Sequence, residues 1–283
     1  MEGKDIRVEQ ARVIRNQEIA DRTFELRLDF LYPAIFSPGQ FVCLAPLDPQ
    51  SVMPRPFSIC QIALSPLKKY FSILYRVVGK NTELMSKLIA GDKVNFFGPC
   101  GQGFLPKTHV YPEVWLVGGG IGIAPLFFFH QVLSEFRDLV VRVFYGNRTM
   151  KEIIPTNLGD SLVITTDDGS HGQKGLVTDV FGVMIKGYAG QSLINLDTDS
   201  KVTKRYDGRQ ILVITCGPNI MMRKVAEICE QAKIECHVIL ETIMACGLNS
   251  CKGCSIKTVS GMKSVCHDGP VFNAKEVLWD ELG

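Results

Sequence analysis

The sequence has little net charge, because 31 Lys and Arg residues stand against 29 Asp and Glu residues and leave a formal charge of +2. Without a basic excess there is little to neutralise a phosphate backbone, so a nucleic-acid partner is not expected. Histidine is also scarce, with five scattered residues, and neither a Ser-His-Asp set nor paired carboxylates emerge. The chemistry is therefore expected to come from bound cofactors rather than from catalytic side chains.

Apolar segments of the kind that target or span a membrane are lacking as well. Residues 1–5 contain no apolar run such as a secretion signal needs. Residues 114–134 carry no formal charge and are numerous enough to span a bilayer. Four glycines and Pro125 interrupt this stretch, however, and predict a buried strand, a glycine turn and a helix instead. We therefore expect a cytoplasmic protein without a membrane span.

The first hundred residues are rich in short strands. Phe24, Leu26, Leu28 and Phe30 alternate with polar residues, which is the period of a half-buried strand. Turn-forming Gly and Pro residues separate this strand from others of similar length. Many short strands with such turns predict a small antiparallel β-barrel, which we assign to residues 1–106.

From about residue 110 apolar runs alternate with helical segments near residues 125–136 and 219–232. Continuous apolar strands between helices predict a parallel sheet that is covered on both faces, over residues 107–235. The polar stretch 187–209 has no clear periodicity and is predicted to be a loop. Residues 236–283 form a third, smaller unit. The predicted fold is thus multidomain: an antiparallel β-barrel, an α/β parallel-sheet domain and a small C-terminal domain.

Ten cysteines are many for a chain that is expected to stay in a reducing compartment. Six are scattered and are predicted to pack in the core, as free cysteines do. The other four are close together in the C-terminal unit: Cys246, Cys251, Cys254 and Cys266. Successive cysteines in this group are separated by four, two and eleven residues.

The first three of these cysteines have the spacing of plant-type [2Fe–2S] ligands. Gly247 and Gly253 lack a Cβ, so the backbone can approach a cluster and turn its N–H groups toward the sulfurs. A structural zinc ion, which also takes four cysteines, is the alternative. Zinc usually takes two C-x2-C-like pairs, and only one is present, so the spacing favours an iron–sulfur cluster.

Two glycine-containing turns follow predicted strands. The first contains Gly118, Gly119, Gly120 and Gly122 and leads into a helix, where free N–H groups can hold a pyrophosphate. Its spacing departs from the G-x-G-x-x-G pattern, so a plain packing turn is the alternative. The second turn contains Cys216 and Pro218, and it lies on the same edge of the sheet, where ligands collect. Cys216 either faces a nicotinamide ring or is a buried core thiol.

The segment Arg55-Pro56-Phe57-Ser58 stands out within the predicted barrel. Arg55 has a planar guanidinium that suits a phosphate, Ser58 is a small hydrogen-bond donor, and Pro56 stiffens the segment. By itself the segment is also compatible with a surface arginine beside a proline.

These motifs extend over nearly the whole chain. The order in which they follow one another resembles that of the ferredoxin-reductase-like flavoproteins. Two segments, 165–175 and 244–272, narrow the resemblance to the electron-transfer subunits of heteromeric, NAD-dependent bacterial dihydroorotate dehydrogenases. The resemblance implies an FAD-binding barrel, an NAD-binding α/β domain and a [2Fe–2S] domain. The four clustered cysteines would then be the cluster ligands.

The resemblance also implies which residues bind the two nucleotides. Those expected to hold FAD are Arg55, Pro56, Phe57, Ser58, Leu74, Tyr75, Arg76, Asn81 and Thr82. Those expected to line the NADH site are Gly118, Gly119, Gly120, Gly122, Cys216 and Pro218. Asn81 stands where the family usually has glycine, and asparagine tolerates the positive φ of such a turn. Arg148 would suit the 2′-phosphate of NADPH, although it is equally compatible with a solvated surface charge.

The implied function is electron transfer from NADH through FAD and the [2Fe–2S] cluster. The implied partner is an FMN-containing catalytic subunit that interconverts dihydroorotate and orotate, in a heterotetramer with two copies of each chain. An alternative is a related reductase subunit that serves another partner, such as an NAD(P)H–ferredoxin or sulfide-linked oxidoreductase. A zinc-binding scaffold without enzymatic activity is the third possibility; it would be colourless.

Overall fold

The N-terminal part of the chain closes into a six-stranded antiparallel barrel with strand order β1-β2-β5-β4-β3-β6. The computed structural model describes residues 7–30, 36–65, 68–156, 158, 161–194 and 211–282. The barrel strands are β1 (Arg7–Ala20), β2 (Thr23–Asp29), β3 (Phe41–Leu44), β4 (Arg55–Ser65), β5 (Lys68–Arg76) and β6 (Lys93–Cys100). A short helix, α1 (Lys80–Ser86), follows β5. The predicted barrel is confirmed.

The barrel core follows from the alternation in β2. Leu26 and Leu28 are fully buried and Phe30 nearly so, because side chains two residues apart point to the same face of a strand. Phe24 is only half-buried and stacks on the Tyr75 ring, with ring centroids 5.5 Å apart. The alternating pattern therefore identified the inner face correctly.

The second domain is built on a seven-stranded sheet in the order β10-β9-β8-β7-β11-β12-β15. Its parallel strands are β7 (Glu113–Gly119), β8 (Val140–Asn147), β9 (Leu162–Thr166), β10 (Gln173–Lys174), β11 (Ile211–Cys216) and β12 (Glu235–Ile239). The last strand, β15 (Val271–Asn273), pairs antiparallel with β12. The strand order reverses around β7, so the carboxyl ends of β7, β8, β11 and β12 meet at one edge.

Helices cover both faces of this sheet, as the continuous apolar strands predict. Val114 and Leu116 pack against α2 (Ile123–Leu133) on one face. Trp115 and Val117 pack on the other face against α3 (Val177–Ile194) and α4 (Asn219–Gln231). The uncharged stretch 114–134 is thus a strand, a glycine turn and a helix. No helix within the described residues is long and apolar enough to cross a membrane.

One sequence prediction was wrong within this domain. Residues 187–194, predicted to belong to a loop, form the last two turns of α3. A helix tolerates polar residues and glycines between apolar ones, since only one stripe of the helix has to be apolar. The remainder of the predicted loop, residues 195–209, lies outside the described residues.

The C-terminal residues carry a small hairpin of β13 (Ser255–Thr258) and β14 (Gly261–Ser264), followed by the single-turn helix α5 (Val265–Asp268). On either side of this hairpin the chain returns to the large sheet through β12 and β15. The N–H group of Gly101, at the end of the barrel, donates to the carbonyl of Cys266 at 3.1 Å. The C-terminal unit is therefore bonded to the barrel and to the parallel sheet.

Candidate flavin, dinucleotide and cluster sites

A cavity of about 560 Å³ lies between the barrel, the start of α2 and the C-terminal unit. All nine residues predicted to hold a flavin line it: Arg55, Pro56, Phe57, Ser58, Leu74, Tyr75, Arg76, Asn81 and Thr82. They come from β4, from the end of β5 and from α1, which are distant in sequence. The barrel order places β4 beside β5, and this pairing brings the two motifs together.

Two polar atoms in this cavity wall are buried and have no hydrogen-bond partner among the described residues: Nε of Arg76 and Oγ1 of Thr242. A buried polar group without a partner is unfavourable, so both atoms are suited to a polar ligand. Arg55 stands nearby with its Nη1 donating to the Met53 carbonyl at 3.1 Å. Two guanidinium groups in one cavity fit the anionic pyrophosphate of a flavin nucleotide.

The expectation that Asn81 adopts a positive φ is wrong. Asn81 is the second residue of α1 and has a helical backbone. Its Oδ1 accepts hydrogen bonds from the N–H groups of Leu47 and Asp48, at 3.1 and 3.0 Å. Thr82 closes the start of the helix, where its Oγ1 accepts from the N–H of Gly79 at 3.1 Å. Asn81 thus fixes the loop at the cavity rim, a role that glycine could not perform.

The opposite wall of the flavin cavity was not predicted from the sequence. It consists of Leu240, Glu241, Thr242 and Met244, with Pro270 beside them. These residues follow the carboxyl end of β12. A polar residue just after a buried strand, here Glu241, is the sequence feature that could have indicated a ligand site. Glu241 is exposed in the cavity wall, and partial desolvation by the protein around its carboxyl raises its pKa.

A larger cavity of about 1210 Å³ lies over the carboxyl ends of the parallel strands. Of the residues predicted to line a dinucleotide site, Gly119, Gly120, Gly122 and Pro218 line this cavity. The chain turns through residues 120–122 and enters α2 at Ile123. The start of α2 therefore lies at the cavity, where the first N–H groups of a helix can hold a pyrophosphate.

Gly118 and Cys216 lie behind this cavity rather than in its lining. They are register partners on β7 and β11, and a Cβ at Gly118 would come within 2.7 Å of the Ile123 side chain. Cys216 is buried, and burial raises the pKa of its thiol, with the charge of Glu241 adding to the shift. The two residues support the glycine turn through packing.

The four clustered cysteines all have sulfurs that accept hydrogen bonds from backbone N–H groups. Cys246 Sγ accepts from Leu248 and Cys251, both at 3.4 Å. The others each accept one, with N···S distances of 3.3 to 3.4 Å: Cys251 from Gly253, Cys254 from Cys266, and Cys266 from Asn249. Such N–H groups stabilise thiolates and cluster sulfurs, so the donor set fits an iron–sulfur cluster.

The backbone of the cysteine loop explains these inward N–H groups. Gly247, Asn249 and Lys252 have positive φ values of 66°, 64° and 55°, and alternating left-handed residues turn successive N–H groups to one side. A Cβ at Gly247 would lie 2.8 Å from Cys43 Sγ, so glycine is required there. A Cβ at Gly253 would make only an ordinary contact, at 3.5 Å.

Exposure and ionisation differ among the four thiols. Cys254 and Cys266 are buried, Cys246 is half-buried and Cys251 is exposed. Partial burial opposes ionisation of Cys246, but the N–H groups of Cys251 and Leu248 outweigh it and lower its pKa to about 7. Burial raises the pKa of Cys266 to about 12, and neighbouring Cys254 adds to this. Within the described ranges, no three His, Cys, Asp or Glu side chains converge as around a single ion.

The other six cysteines, predicted to pack in the core, are all buried and unbridged: Cys43, Cys60, Cys100, Cys216, Cys229 and Cys236. This prediction is confirmed.

A closed barrel, a parallel sheet with a cavity at its strand ends and a cluster of four thiols define a ferredoxin-reductase-like electron-transfer protein. Over 95% of its length the chain is 32% identical to the dihydroorotate dehydrogenase B (NAD(+)) electron transfer subunit of Clostridium perfringens, 97% of which is covered. The chain belongs to this family of electron transfer subunits. The subunit of the same name from Listeria innocua is 34% identical, with 95% of this chain and 98% of that protein covered.

Residues 241–278 match the model of the iron-sulfur cluster binding domain of dihydroorotate dehydrogenase B. This range contains all four clustered cysteines, so the match decides for the iron–sulfur cluster and against zinc. A solved structure of an NADH-dependent reduced ferredoxin-NADP oxidoreductase is also similar, with a TM-score of 0.76 and 28% identity. The similarity covers 100% of this chain and 93% of that one. The resemblance inferred from the motifs is confirmed.

Proposed function

We propose that this chain transfers electrons from NADH, through FAD and a [2Fe–2S] cluster, to a separate FMN-containing subunit that interconverts dihydroorotate and orotate. The chemistry that the bound flavin and cluster supply is the conversion of a two-electron donor into single-electron transfers. The chain's own residues bind the two nucleotides side by side and hold the cluster next to them. The proposed assembly is a heterotetramer with two copies of each subunit.

The observation that carries the proposal is the continuity between the flavin cavity and the cysteine loop. Glu241, Thr242 and Met244 line the cavity, and the first cluster cysteine, Cys246, follows only two residues after Met244. Electron tunnelling requires short gaps, and this connection keeps the two cofactors adjacent. Pro270, four residues after Cys266, lines the same wall.

The two nucleotide cavities share part of their walls. Arg76, Ile121 and Glu241 line both of them, so a dinucleotide in the larger cavity can extend its nicotinamide toward the flavin. Hydride transfer needs such direct contact, because a hydride does not travel through intervening protein. The shared wall therefore supports NADH as the donor to the flavin.

The loop that carries Cys246, Cys251 and Cys254 offers a route for electrons to a partner protein. Cys251 is exposed, and the neighbouring Leu248 is an exposed apolar side chain. An exposed ligand beside an apolar side chain is suited to a protein that docks over the cluster. All ten cysteines are unbridged, as in a reducing compartment, which supports the cytoplasmic location that we propose.

The proposal is tested by anaerobic purification together with whatever companion co-purifies. We expect a yellow-brown protein containing FAD, with iron and inorganic sulfide in equal amounts, and an FMN-containing companion. Addition of NADH and orotate should then yield dihydroorotate. A colourless preparation free of flavin and sulfide would overturn the proposal.

Replacing Arg55 with alanine should weaken retention of FAD by about tenfold, the effect of losing one charge-assisted hydrogen bond to a phosphate. The measurement is the FAD content after gel filtration, compared with the Arg27→Ala variant. Arg27 is a barrel arginine that pairs with Glu25 at 3.0 Å and does not line the cavity. Full flavin occupancy in Arg55→Ala would contradict the assignment of Arg55.

A second candidate function is supported by the likeness to the NADH-dependent reduced ferredoxin-NADP oxidoreductase over the whole chain. In that case the electrons would pass to or from a ferredoxin, and no orotate-active companion would be involved. The same purified material distinguishes the two candidates. NADH-dependent reduction of a ferredoxin, with no turnover of orotate, would favour the second.

A further inference from the structure

The walls of the dinucleotide cavity contain four cationic side chains, and each has a carboxylate partner. Arg223 lies 2.6 Å from Asp280 and 3.3 Å from Glu227, and Lys224 lies 3.7 Å from Glu227. The remaining two, Arg76 and Arg148, share one carboxylate, that of Glu152. An additional phosphate entering this cavity would therefore meet cations whose charge is already partly balanced by a carboxylate.

The Arg148–Glu152 pair is the tightest of these and is bidentate. Nη2 and Nε of Arg148 lie 2.5 and 3.3 Å from the two carboxylate oxygens of Glu152. The Glu152 side chain is only 13% exposed, whereas that of Arg148 is 71% exposed. The pKa of the Glu152 carboxyl is lowered by the hydrogen bond from Arg148 and also by Arg76. Glu152 is thus a largely buried anion that holds an exposed guanidinium.

The position of this pair in the sheet places it near the adenosine half of a bound dinucleotide. The flavin cavity adjoins the end of β12, so the nicotinamide belongs at that side. On the other side of β7 from β12, the cavity is lined by Arg148, after β8, and by Asp167, after β9, and Glu152 reaches from there toward Arg76. A carboxylate at such a strand end accepts hydrogen bonds from the ribose hydroxyls of NAD, whereas a free arginine accommodates the 2′-phosphate of NADP.

We propose that Glu152 determines the preference for NADH over NADPH by engaging the Nε–Nη2 edge of Arg148, the cation best placed for a 2′-phosphate, and by balancing its charge. This inference rests on the proposed function, since it requires the larger cavity to bind the nicotinamide dinucleotide. Asp167 acts in the same direction, because its negative charge faces Arg148 and would repel a second anion. In the sequence, Arg148 suggests that NADPH binds. In the structure, the charge of Arg148 is balanced by Glu152.

The test compares Glu152→Gln with the unaltered holoenzyme. The amide retains the shape of the carboxylate but not its charge, so Arg148 is released. We expect the ratio of kcat/KM for NADPH to that for NADH to rise about tenfold or more, the factor that one charge-assisted hydrogen bond supplies. Binding of adenosine 2′,5′-bisphosphate, measured by calorimetry against 5′-AMP, should strengthen in parallel.

Two further variants assign the effect to Arg148. The double variant Glu152→Gln/Arg148→Met should lose the gain, and Arg148→Met alone should leave the 2′,5′-bisphosphate to 5′-AMP affinity ratio as it is in the parent protein. Glu281→Gln, which removes the carboxylate of the exposed Lys257–Glu281 pair, serves as the matched control. The FAD content of every variant is recorded, because Glu152 also contacts Arg76.

An unchanged nucleotide ratio in Glu152→Gln with its FAD retained would overturn the inference. So would a gain that persists without Arg148, or a loss of bisphosphate affinity in Arg148→Met alone. These results leave the proposed function standing as long as the parent protein oxidises NADH. A parent protein that binds neither NADH nor 5′-AMP would instead overturn both the proposed function and the inference.

Discussion

The variant Cys251→Ser is expected to reduce electron transfer to the partner subunit to background, while NADH still reduces the bound flavin at a normal rate. Cys251 is the exposed member of the four thiols, and a serine oxygen is a poor substitute for a thiolate on iron. The flavin cavity does not include this residue, so the first half-reaction should survive. Stopped-flow bleaching of the flavin by NADH and reduction of the partner's flavin measure the two steps separately.

The matched control is Ser250→Ala, which alters the neighbouring exposed side chain in the same loop. Only its backbone N–H, which the substitution retains, acts on Cys246. This control should keep both steps and its iron content. Loss of flavin reduction together with partner reduction in Cys251→Ser would contradict the order in which flavin precedes cluster. Full transfer in that variant would show that Cys251 is not a ligand.

Local sequence patterns predicted most of the two large domains, because the alternation of apolar residues reports which face of an element is buried. The stretch 114–134, predicted to be a strand, a glycine turn and a helix, forms β7, the turn and α2 in the structure. The end of α3 was missed for the opposite reason. Residues 187–194 mix two glycines and two polar residues with apolar ones, so no clear period is visible. The helix there continues the preceding turns, which pack through Phe181 and Ile185.

One wall of the flavin cavity could be predicted from the sequence, and the opposite wall could not. The residues of β4 and β5 stand in recognisable motifs, whereas Leu240, Glu241 and Thr242 carry no motif of their own. Their place in the wall follows from the pairing of β12 between β11 and β15, a long-range feature that local patterns do not contain. The pairing of Arg148 with Glu152 was likewise invisible, because the sequence shows a charge but not its partner.

The two glycine turns at the dinucleotide cavity contact each other directly at Gly122. A Cβ there would lie 2.6 Å from the Cys216 carbonyl oxygen and from the Cα and N atoms of Gly217. Real side chains do not approach backbone atoms so closely, and neither turn can yield without moving its strand. The backbone of Gly122 is itself helical, with φ −62°, so glycine is needed here for space and not for conformation.

Gly122→Ala should therefore push the turns of β7 and β11 apart, at a cost of about 1–3 kcal/mol in stability. Because the pyrophosphate site depends on their spacing, we expect the KM for NADH to rise about tenfold or more, with FAD and cluster content retained. Steady-state kinetics with NADH and an artificial acceptor measure this. Gly120→Ala is the matched control: it has φ 55° and open space, so it adds about 1 kcal/mol of strain without a clash. Equal impairment in both variants would show that the turn-to-turn contact at Gly122 does not control nucleotide binding.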